Sequence, residues 1–208
     1  MSYRPICDLW ALARARLKGG RRYLGAYLGG FPERARVLIG CSINDPVLHV
    51  CGGMAKYYPY ARGFGPNDRT LDIDPATEPD YLQDARDAWP PYFTQTVSIP
   101  SLIDHDDIQD GIRLQEIEVD ESWAGIIIDP PYSETDADKY NCGSKVYPKP
   151  NELIKRAMEV LPVGGKVGLI HYILPACPKN AKFIACVGII CGFNNRIRVF
   201  SVFEKLEA

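Results

Sequence analysis

Apolar residues recur at helical spacing near the start of the chain. Five of them follow the i, i+3, i+4, i+7 pattern of one helix face and precede a Gly-Gly pair: Ile6, Leu9, Trp10, Ala13 and Leu17. A second helix is predicted from Pro32, which suits a first helical turn, to Ile39, with Gly40 placed to end it. Residues 1–46 are therefore expected to form a helical segment ahead of a sheet.

Short apolar runs of strand length begin at Val47. They carry apolar residues on both faces, as buried parallel strands do, and they cover 47–50, 70–73, 125–128 and 166–170. A crossover helix is predicted over 151–160. Only four residues separate two further runs, 183–191 and 196–203, so these must be antiparallel neighbours. The pattern predicts one domain with a doubly wound, mostly parallel α/β sheet that ends in an antiparallel hairpin.

Composition limits the class of protein. Apolar residues make up 46% and charged residues 24%, and no apolar run reaches the roughly 18 residues that a membrane helix needs. The N-terminus lacks the order of a secretory signal, so a cytoplasmic protein is expected. Seven cysteines without a C-x-x-C pair are expected to be free thiols, and three scattered histidines form no metal-binding frame. We therefore predict no metal site.

Charge is distributed unevenly along the chain, although the net charge is only −2. Basic residues dominate 1–36, where Asp8 and Glu33 oppose them, and 68–121 is acidic. This asymmetry fits a side that faces phosphate and fits a solvated surface equally well. The acidic cluster at 104–107 is expected to be a solvated turn.

Candidate chemistry is concentrated where the run 125–128 ends. Asp129, Pro130, Pro131 and Tyr132 follow this buried strand, and ligands of open α/β sheets bind outside the carboxyl ends of strands. The Asp129 carboxylate and the Pro130 carbonyl can each accept one N–H of an exocyclic amine, which turns the nitrogen lone pair towards a methyl donor. Tyr132 can stack on an extruded base. An ordinary strand end would contain similar residues.

These four residues resemble the D-P-P-Y motif of the amino-methyltransferases, chiefly the DNA adenine-N6 enzymes, within the class I S-adenosylmethionine-dependent methyltransferases. The resemblance implies a Rossmann-like, seven-stranded sheet, S-adenosyl-L-methionine as cofactor, and a nucleic-acid substrate, DNA in preference to RNA. It also implies a catalytic role for all four residues. Similar turns occur in methyltransferases that modify RNA (guanine N2 or adenine N6) or a protein glutamine, so these acceptors stay open. A non-catalytic nucleotide-binding module of the same fold is the other alternative.

The segment 47–54 resembles the first cofactor-binding motif of that family, a strand that ends in a glycine-rich turn. It contributes cofactor-binding candidates in one strand and turn: His49, Cys51, Gly52 and Gly53. His49 stands where the family usually has an acid, and Ala55 stands where a further glycine is common. His49 either contacts the cofactor or is a buried histidine bonded to a backbone carbonyl.

Two acids further along resemble the family's other cofactor contacts. Asp72 resembles the acid that holds the ribose hydroxyls, since a carboxylate can accept two hydroxyl hydrogen bonds, and it fits the register better than Asp74. Asp84 resembles the acid at the adenine amino group. Either residue could equally be an ordinary turn acid.

Nucleic-acid contacts are expected in the polar segment 133–150, which leaves the catalytic strand directly. Its lysines can meet phosphate and its tyrosines can stack on bases, and the substrate-binding candidates are Lys139, Tyr140, Lys145 and Tyr147. A mobile surface loop would have a similar composition. No separate target-recognition domain is expected, so specificity should come from loops or be low.

Overall fold

The computed structural model describes residues 4–13, 27–57, 63–92, 94–100, 114–120, 122–140, 147–191 and 194–207. The elements in these ranges are β1 (Ile6–Leu12), α1 (Phe31–Ile39), β2 (Val47–Val50), β3 (Arg69–Asp72), β4 (Tyr81–Leu82), β5 (Thr94–Pro100), β6 (Leu114–Asp120), β7 (Gly125–Ile128), α2 (Glu134–Lys139), α3 (Pro150–Val160), β8 (Lys166–His171), β9 (Ala181–Cys191) and β10 (Asn194–Lys205).

Eight strands form one mixed sheet in the order β1-β9-β10-β8-β7-β2-β3-β4. Neighbouring strands are parallel except at β10, which runs antiparallel to both β9 and β8. The predicted fold class, a mostly parallel α/β sheet that ends in an antiparallel hairpin, is confirmed. The sheet has one strand more than the seven that the resemblance implies, because β1 joins its edge.

The N-terminal helix predicted from residue 6 is wrong for the described part of that segment. Residues 6–12 form β1, which pairs in parallel with the edge of β9 and so gains inter-strand hydrogen bonds. Trp10 and Leu12 point into the core at strand period, whereas Ile6 and Leu9 are 51% and 60% exposed. Long-range pairing with β9 overrides the local helical spacing. Residues 14–26 lie outside the described ranges.

The second predicted helix is confirmed as α1. Pro32 lies in its first turn, and Gly40 ends it with a φ of 76°, a conformation that glycine adopts readily. Its apolar face packs on one side of the sheet with Ile127, while α3 packs on the other side with Ile126 and Ile128. Both faces of the central strands are therefore covered, as their apolar composition predicts.

The chain reverses its direction of travel across the sheet between β2 and β7. From β2 it proceeds outward to β3 and β4, and it later returns on the other side of β2 through β7 and β8. Ligands of doubly wound sheets bind at such a switch point, outside the carboxyl ends of the strands. The topology therefore places the candidate site where β2 and β7 end.

A separate two-stranded antiparallel sheet, β5 with β6, precedes β7 in the chain. The acidic cluster at 104–107 lies between these strands and outside the described residues. None of the described helices is long and apolar enough to cross a membrane.

Candidate active site

Backbone hydrogen bonds join the turns that follow β2, β3 and β7. The Asp129 N–H donates to the Val50 carbonyl at 3.1 Å, and the Cys51 N–H donates to the Leu71 carbonyl at 2.8 Å. The carboxyl ends of three parallel strands thus meet, and the glycine turn after β2 lies directly beside the segment 129–132.

The turn after β2 has a tightly constrained backbone. Cys51 and Gly53 have φ values of 52° and 50°, in the left-handed region that non-glycine residues rarely adopt. A Cβ on Gly52 would lie 2.9 Å from the Cβ of His49 and 3.0 Å from its carbonyl oxygen, so only glycine fits there without a shift. Ala55, where the family often has glycine, is buried in the 3₁₀ turn Ala55–Tyr57 that follows.

Asp72 connects the end of β3 to this turn. Its Oδ2 accepts the Gly53 N–H at 2.8 Å, and its Oδ1 accepts the Asp74 N–H at 3.0 Å. Burial raises the pKa of Asp72, and these backbone N–H groups oppose that effect. Asp74 instead caps the short 3₁₀ turn Pro75–Thr77 by accepting the Ala76 N–H. Of the two acids, only Asp72 contacts the glycine turn through these bonds, and its ribose-binding role stays a prediction.

Asp84 lies in the next turn, which is attached to β3 through a 3.0 Å hydrogen bond from the Gln83 N–H to the Asp72 carbonyl. Both carboxylate oxygens of Asp84 accept from Arg86 Nε at 3.0 Å. The Arg86 guanidinium lowers the pKa of Asp84. Asp84 is therefore near Asp72 but already engaged by Arg86, and its role at the cofactor adenine stays a prediction.

His49 is fully buried and bonded to protein side chains through both ring nitrogens. Its Nε2 lies 3.1 Å from Asp68 Oδ2, and its Nδ1 lies 3.3 Å from the Tyr27 hydroxyl. Of the two roles left open by the sequence, this geometry favours the structural one. The partners are a carboxylate and a phenol, where a backbone carbonyl was expected.

Asp68 is the centre of a buried polar cluster that sequence reasoning missed. It accepts two hydrogen bonds from Arg36 Nη1, at 2.6 and 2.8 Å, and one from the Gly65 N–H at 2.7 Å. Burial alone would raise its pKa, but the hydrogen bonds and charges of His49 and Arg36 hold it below the ordinary value. His49 and Arg36 lie 19 and 32 positions away from Asp68 in the chain, so no local sequence pattern predicts these contacts.

The four motif residues lie at the end of β7, with both prolines buried. Tyr132 donates from its hydroxyl to Asp129 Oδ1 at 2.7 Å. Burial raises the pKa of Asp129 to about 6, against the lowering effects of the Arg198 charge and the Tyr132 hydrogen bond. A carboxyl with such a pKa is charged at neutral pH yet close to taking up a proton, which is typical of acids and bases in active sites.

Aromatic rings surround Tyr132 on the side of β8. Its ring centroid lies 4.5 Å from that of Tyr172 and 5.3 Å from that of His171, which it meets edge to face. The Arg198 guanidinium lies 5.3 Å from the Tyr132 ring centroid. Because β10 is antiparallel to β8, with Val199 opposite His171, the first half of β10 reaches the carboxyl end of β8. Sequence reasoning missed these three neighbours of Tyr132.

His171 carries a buried nitrogen whose partner is not supplied by the described residues. Its Nδ1 accepts the Ile173 N–H at 3.0 Å, and its buried Nε2 has no hydrogen-bond partner within the described part of the chain. Burial lowers the pKa of His171. The hydrogen bond from Ile173 orients the His171 ring, which packs edge to face against Tyr132.

A cavity of about 460 Å³ opens beside the motif. Its lining comes from the start of α2, the end of β8 and the start of β10, namely Ser133, Asp136, Tyr172, Arg196 and Ile197. This cavity is a depression open to solvent and not an enclosed chamber.

The predicted substrate-binding residues fall partly in this region. Lys139 pairs with Asp136 at 2.9 Å, and Tyr140 is close enough to Asp129 that burial and this carboxylate raise its pKa to about 12. Tyr147 is half-buried just before α3, and Lys145 lies outside the described residues. No cluster of three metal-binding side chains is found in the described ranges, where the six cysteines are free.

Comparison with solved structures identifies the fold. TrmN from Thermus thermophilus matches with a TM-score of 0.52 and 15% identity over 88% of this chain and 50% of that chain. A Haemophilus influenzae protein described as a candidate methylase matches with a TM-score of 0.47 and 12% identity over 95% of this chain and 100% of that chain. An rRNA methylase from Streptococcus thermophilus matches with a TM-score of 0.39 and 10% identity over 80% of this chain and 89% of that chain. No protein-family model matches, and the comparison with curated proteins found no match.

The chain thus spans half the length of the TrmN chain. Together with the sheet order, the likeness to TrmN shows that the described residues share its Rossmann-like, mostly parallel α/β fold.

Proposed function

We propose that this chain is an S-adenosylmethionine-dependent methyltransferase that modifies an exocyclic amino group of a nucleic-acid base, with adenine N6 in DNA as the favoured acceptor. One observation carries the proposal: Asp129 and Pro130 lie at the switch point of a methyltransferase fold, hydrogen-bonded through the backbone to the strand that enters the glycine turn. A ligand at that turn and an amine at the motif would be neighbours.

The turn after β2 and the end of β3 fit the cofactor. Glycines in a tight turn let the backbone approach a ligand, and the left-handed residues at 51 and 53 bend it sharply beside Asp72. A carboxylate has about four lone-pair positions, so Asp72 retains acceptors for ribose hydroxyls beyond its two backbone donors. When bound, S-adenosyl-L-methionine would supply an electrophilic methyl group.

Asp129 and Pro130 would prepare the acceptor nitrogen. The lone pair of an exocyclic amine is delocalised into the ring, and hydrogen bonds from its two N–H groups to fixed acceptors turn it out of the ring plane. Tyr132 donates to one oxygen of Asp129 and so fixes the orientation of the carboxylate, whose other oxygen can receive the amine. The Pro130 carbonyl is the second acceptor.

Methylation requires the nitrogen to lose one proton. Asp129 lies within reach of the amine in this arrangement, and its pKa of about 6 lets it hold that proton before solvent removes it. Stacking of Tyr132 on the base stays a prediction, since its ring already meets Tyr172 and His171.

The test is transfer of labelled methyl from S-adenosylmethionine to unmethylated DNA, with total RNA and a protein extract in parallel, followed by nucleoside and amino-acid analysis. We expect label in N6-methyladenine, lost at least about 100-fold in Asp129→Ala. The matched control is Glu159→Gln, which removes an exposed carboxylate from α3.

Label found only in RNA or protein would move the acceptor and keep the mechanism. Undiminished transfer by Asp129→Ala would overturn it. Cofactor binding by calorimetry without transfer to any of the three acceptors would favour the non-catalytic module.

A further inference from the structure

Two arginines of β10 lie over two tyrosines beside the motif. Arg198 lies over the ring of Tyr132, and Arg196 lies over the ring of Tyr172, with its guanidinium carbon 5.6 Å from the ring centroid. The two arginines are two positions apart on one strand, and each lies against one of the two tyrosine rings. The two tyrosine rings are 4.5 Å apart, which makes one continuous row.

The two arginines differ in exposure. Arg198 is half-buried next to Asp129, whereas Arg196 is exposed at the outer end of the row and lines the cavity. Arg196 Nη1 also donates to the Tyr172 hydroxyl at 3.3 Å, so the ring and the hydroxyl both orient the guanidinium. These two contacts place the guanidinium beside the ring while it stays accessible to solvent.

The cavity lining combines the Tyr172 ring, the Ser133 hydroxyl and the Arg196 guanidinium. The one acid among its lining residues, Asp136, pairs with Lys139 at 2.9 Å, and its backbone N–H donates to Ser133 Oγ. The Lys139 charge therefore offsets the Asp136 charge within α2. Arginine binds phosphate with a planar fork of donors, and tyrosine rings stack on bases. A nucleotide satisfies all three features, whereas a glutamine side chain offers no anion for Arg196.

We propose that this cavity is the subsite for the nucleotide that flanks the methylated base, with Arg196 bound to its phosphate and Tyr172 against its base. The proposal rests on the proposed function and deepens it, because it selects a nucleic acid over a protein acceptor. Arg196 is then a substrate-binding residue. The rings of Tyr172 and Tyr132 separate it from Asp129.

The experiment measures equilibrium binding of a fluorescent oligonucleotide, single- and double-stranded, by anisotropy at several salt concentrations. Arg196→Gln is compared with Arg196→Lys and with Arg156→Gln, which removes a partly exposed arginine from α3 whose partner is Glu159. Each lost phosphate contact lowers the slope of log affinity against log salt by about 0.7 to 0.9. We expect that decrease for Arg196→Gln, with about 10-fold weaker binding at low salt, a higher KM and an unchanged kcat.

Arg196→Lys should retain most of the salt slope, because it keeps the charge, and Arg156→Gln should retain all of it. An unchanged slope in Arg196→Gln, or absence of oligonucleotide binding by the unmodified protein, would overturn the subsite. Binding is measured without cofactor and repeated in Asp129→Asn. A failure of methyl transfer that leaves the Arg196-dependent slope intact would therefore contradict the proposed reaction and support the subsite.

Discussion

Replacing Asp129 with asparagine should abolish methyl transfer and stabilise the protein at the same time. Asparagine keeps the size and one oxygen acceptor for the Tyr132 hydroxyl, but it removes the buried negative charge. Burial is the largest cause of the raised pKa of Asp129, which means that the charged form is held in the fold at a cost. Such a cost at a functional residue is the usual origin of a trade-off between stability and activity.

The magnitude follows from the two pKa values. The folded value is about 6 and the unfolded value is near 3.8, and a difference of about 2 corresponds to about 3 kcal/mol. The folded state binds this proton more tightly than the unfolded state, so stability falls as pH rises from about 4 to about 6 and stays lower above that. Asp129→Asn lacks the charge and should be more stable at pH 8 by at most about 3 kcal/mol, an advantage that shrinks to about half at pH 5.

Urea unfolding of the unmodified protein and of Asp129→Asn at pH 8 and pH 5 measures this difference, and labelled methyl transfer measures activity. Glu159→Gln serves as the control for removal of a carboxylate, and its stability should change by less than about 0.5 kcal/mol at both pH values. Asp129→Asn that is less stable than the unmodified protein at pH 8, or that keeps its activity, would refute the reasoning.

Three further predictions concern the surroundings of this acid. Arg198→Gln removes the charge that lowers the pKa of Asp129, so the acid limb of kcat/KM, expected near pH 6, should move to higher pH; an unmoved limb in the pH profile would exclude this coupling. Asp68→Asn leaves the buried Arg36 without its anion and should cost about 3–5 kcal/mol in urea unfolding, whereas a cost under about 1 kcal/mol would show that the pair is not buried in solution. Gly52→Ala forces a Cβ against the backbone of β2 and should cost about 1–3 kcal/mol and weaken S-adenosylmethionine binding by calorimetry, an effect that unchanged affinity would disprove.

The sequence predicted most of the sheet because its central strands are buried on both faces. Strands over 47–50 and 125–128 were predicted with their observed bounds, and the remaining central strands were predicted within one residue at each end. Continuous apolar runs and the glycine or proline that follows them are local signals. For these strands, the local signals agree with the conformation that parallel pairing requires. The C-terminal hairpin was predictable for a different local reason: a connection this short can join only antiparallel neighbours.

The first strand was missed because its signal is not local. Only Trp10 and Leu12 of β1 are buried, and the rest of that strand is exposed at the edge of the sheet. Three of its residues, Ile6, Leu9 and Trp10, also satisfy helical spacing, and only the free edge of β9 decides between the two conformations. The same limit applies to the site: Arg196, Arg198 and Tyr172 come to the motif through the antiparallel register of β10 with β8, which no local pattern specifies.

The departure of His49 from the family pattern is better explained by packing than by loss of catalysis. Where the family usually has an acid, this chain has a histidine whose Nε2 is hydrogen-bonded to a carboxylate, that of Asp68, delivered from the loop before β3. The pair lies under the turn that Gly52 closes, and Arg36 compensates the charge from α1. His49 contacts the turn at Gly52, while Asp72 accepts the Gly53 N–H from β3, so the polar contact proposed for the cofactor does not involve His49. The unusual residue therefore gives no reason to prefer a non-catalytic module.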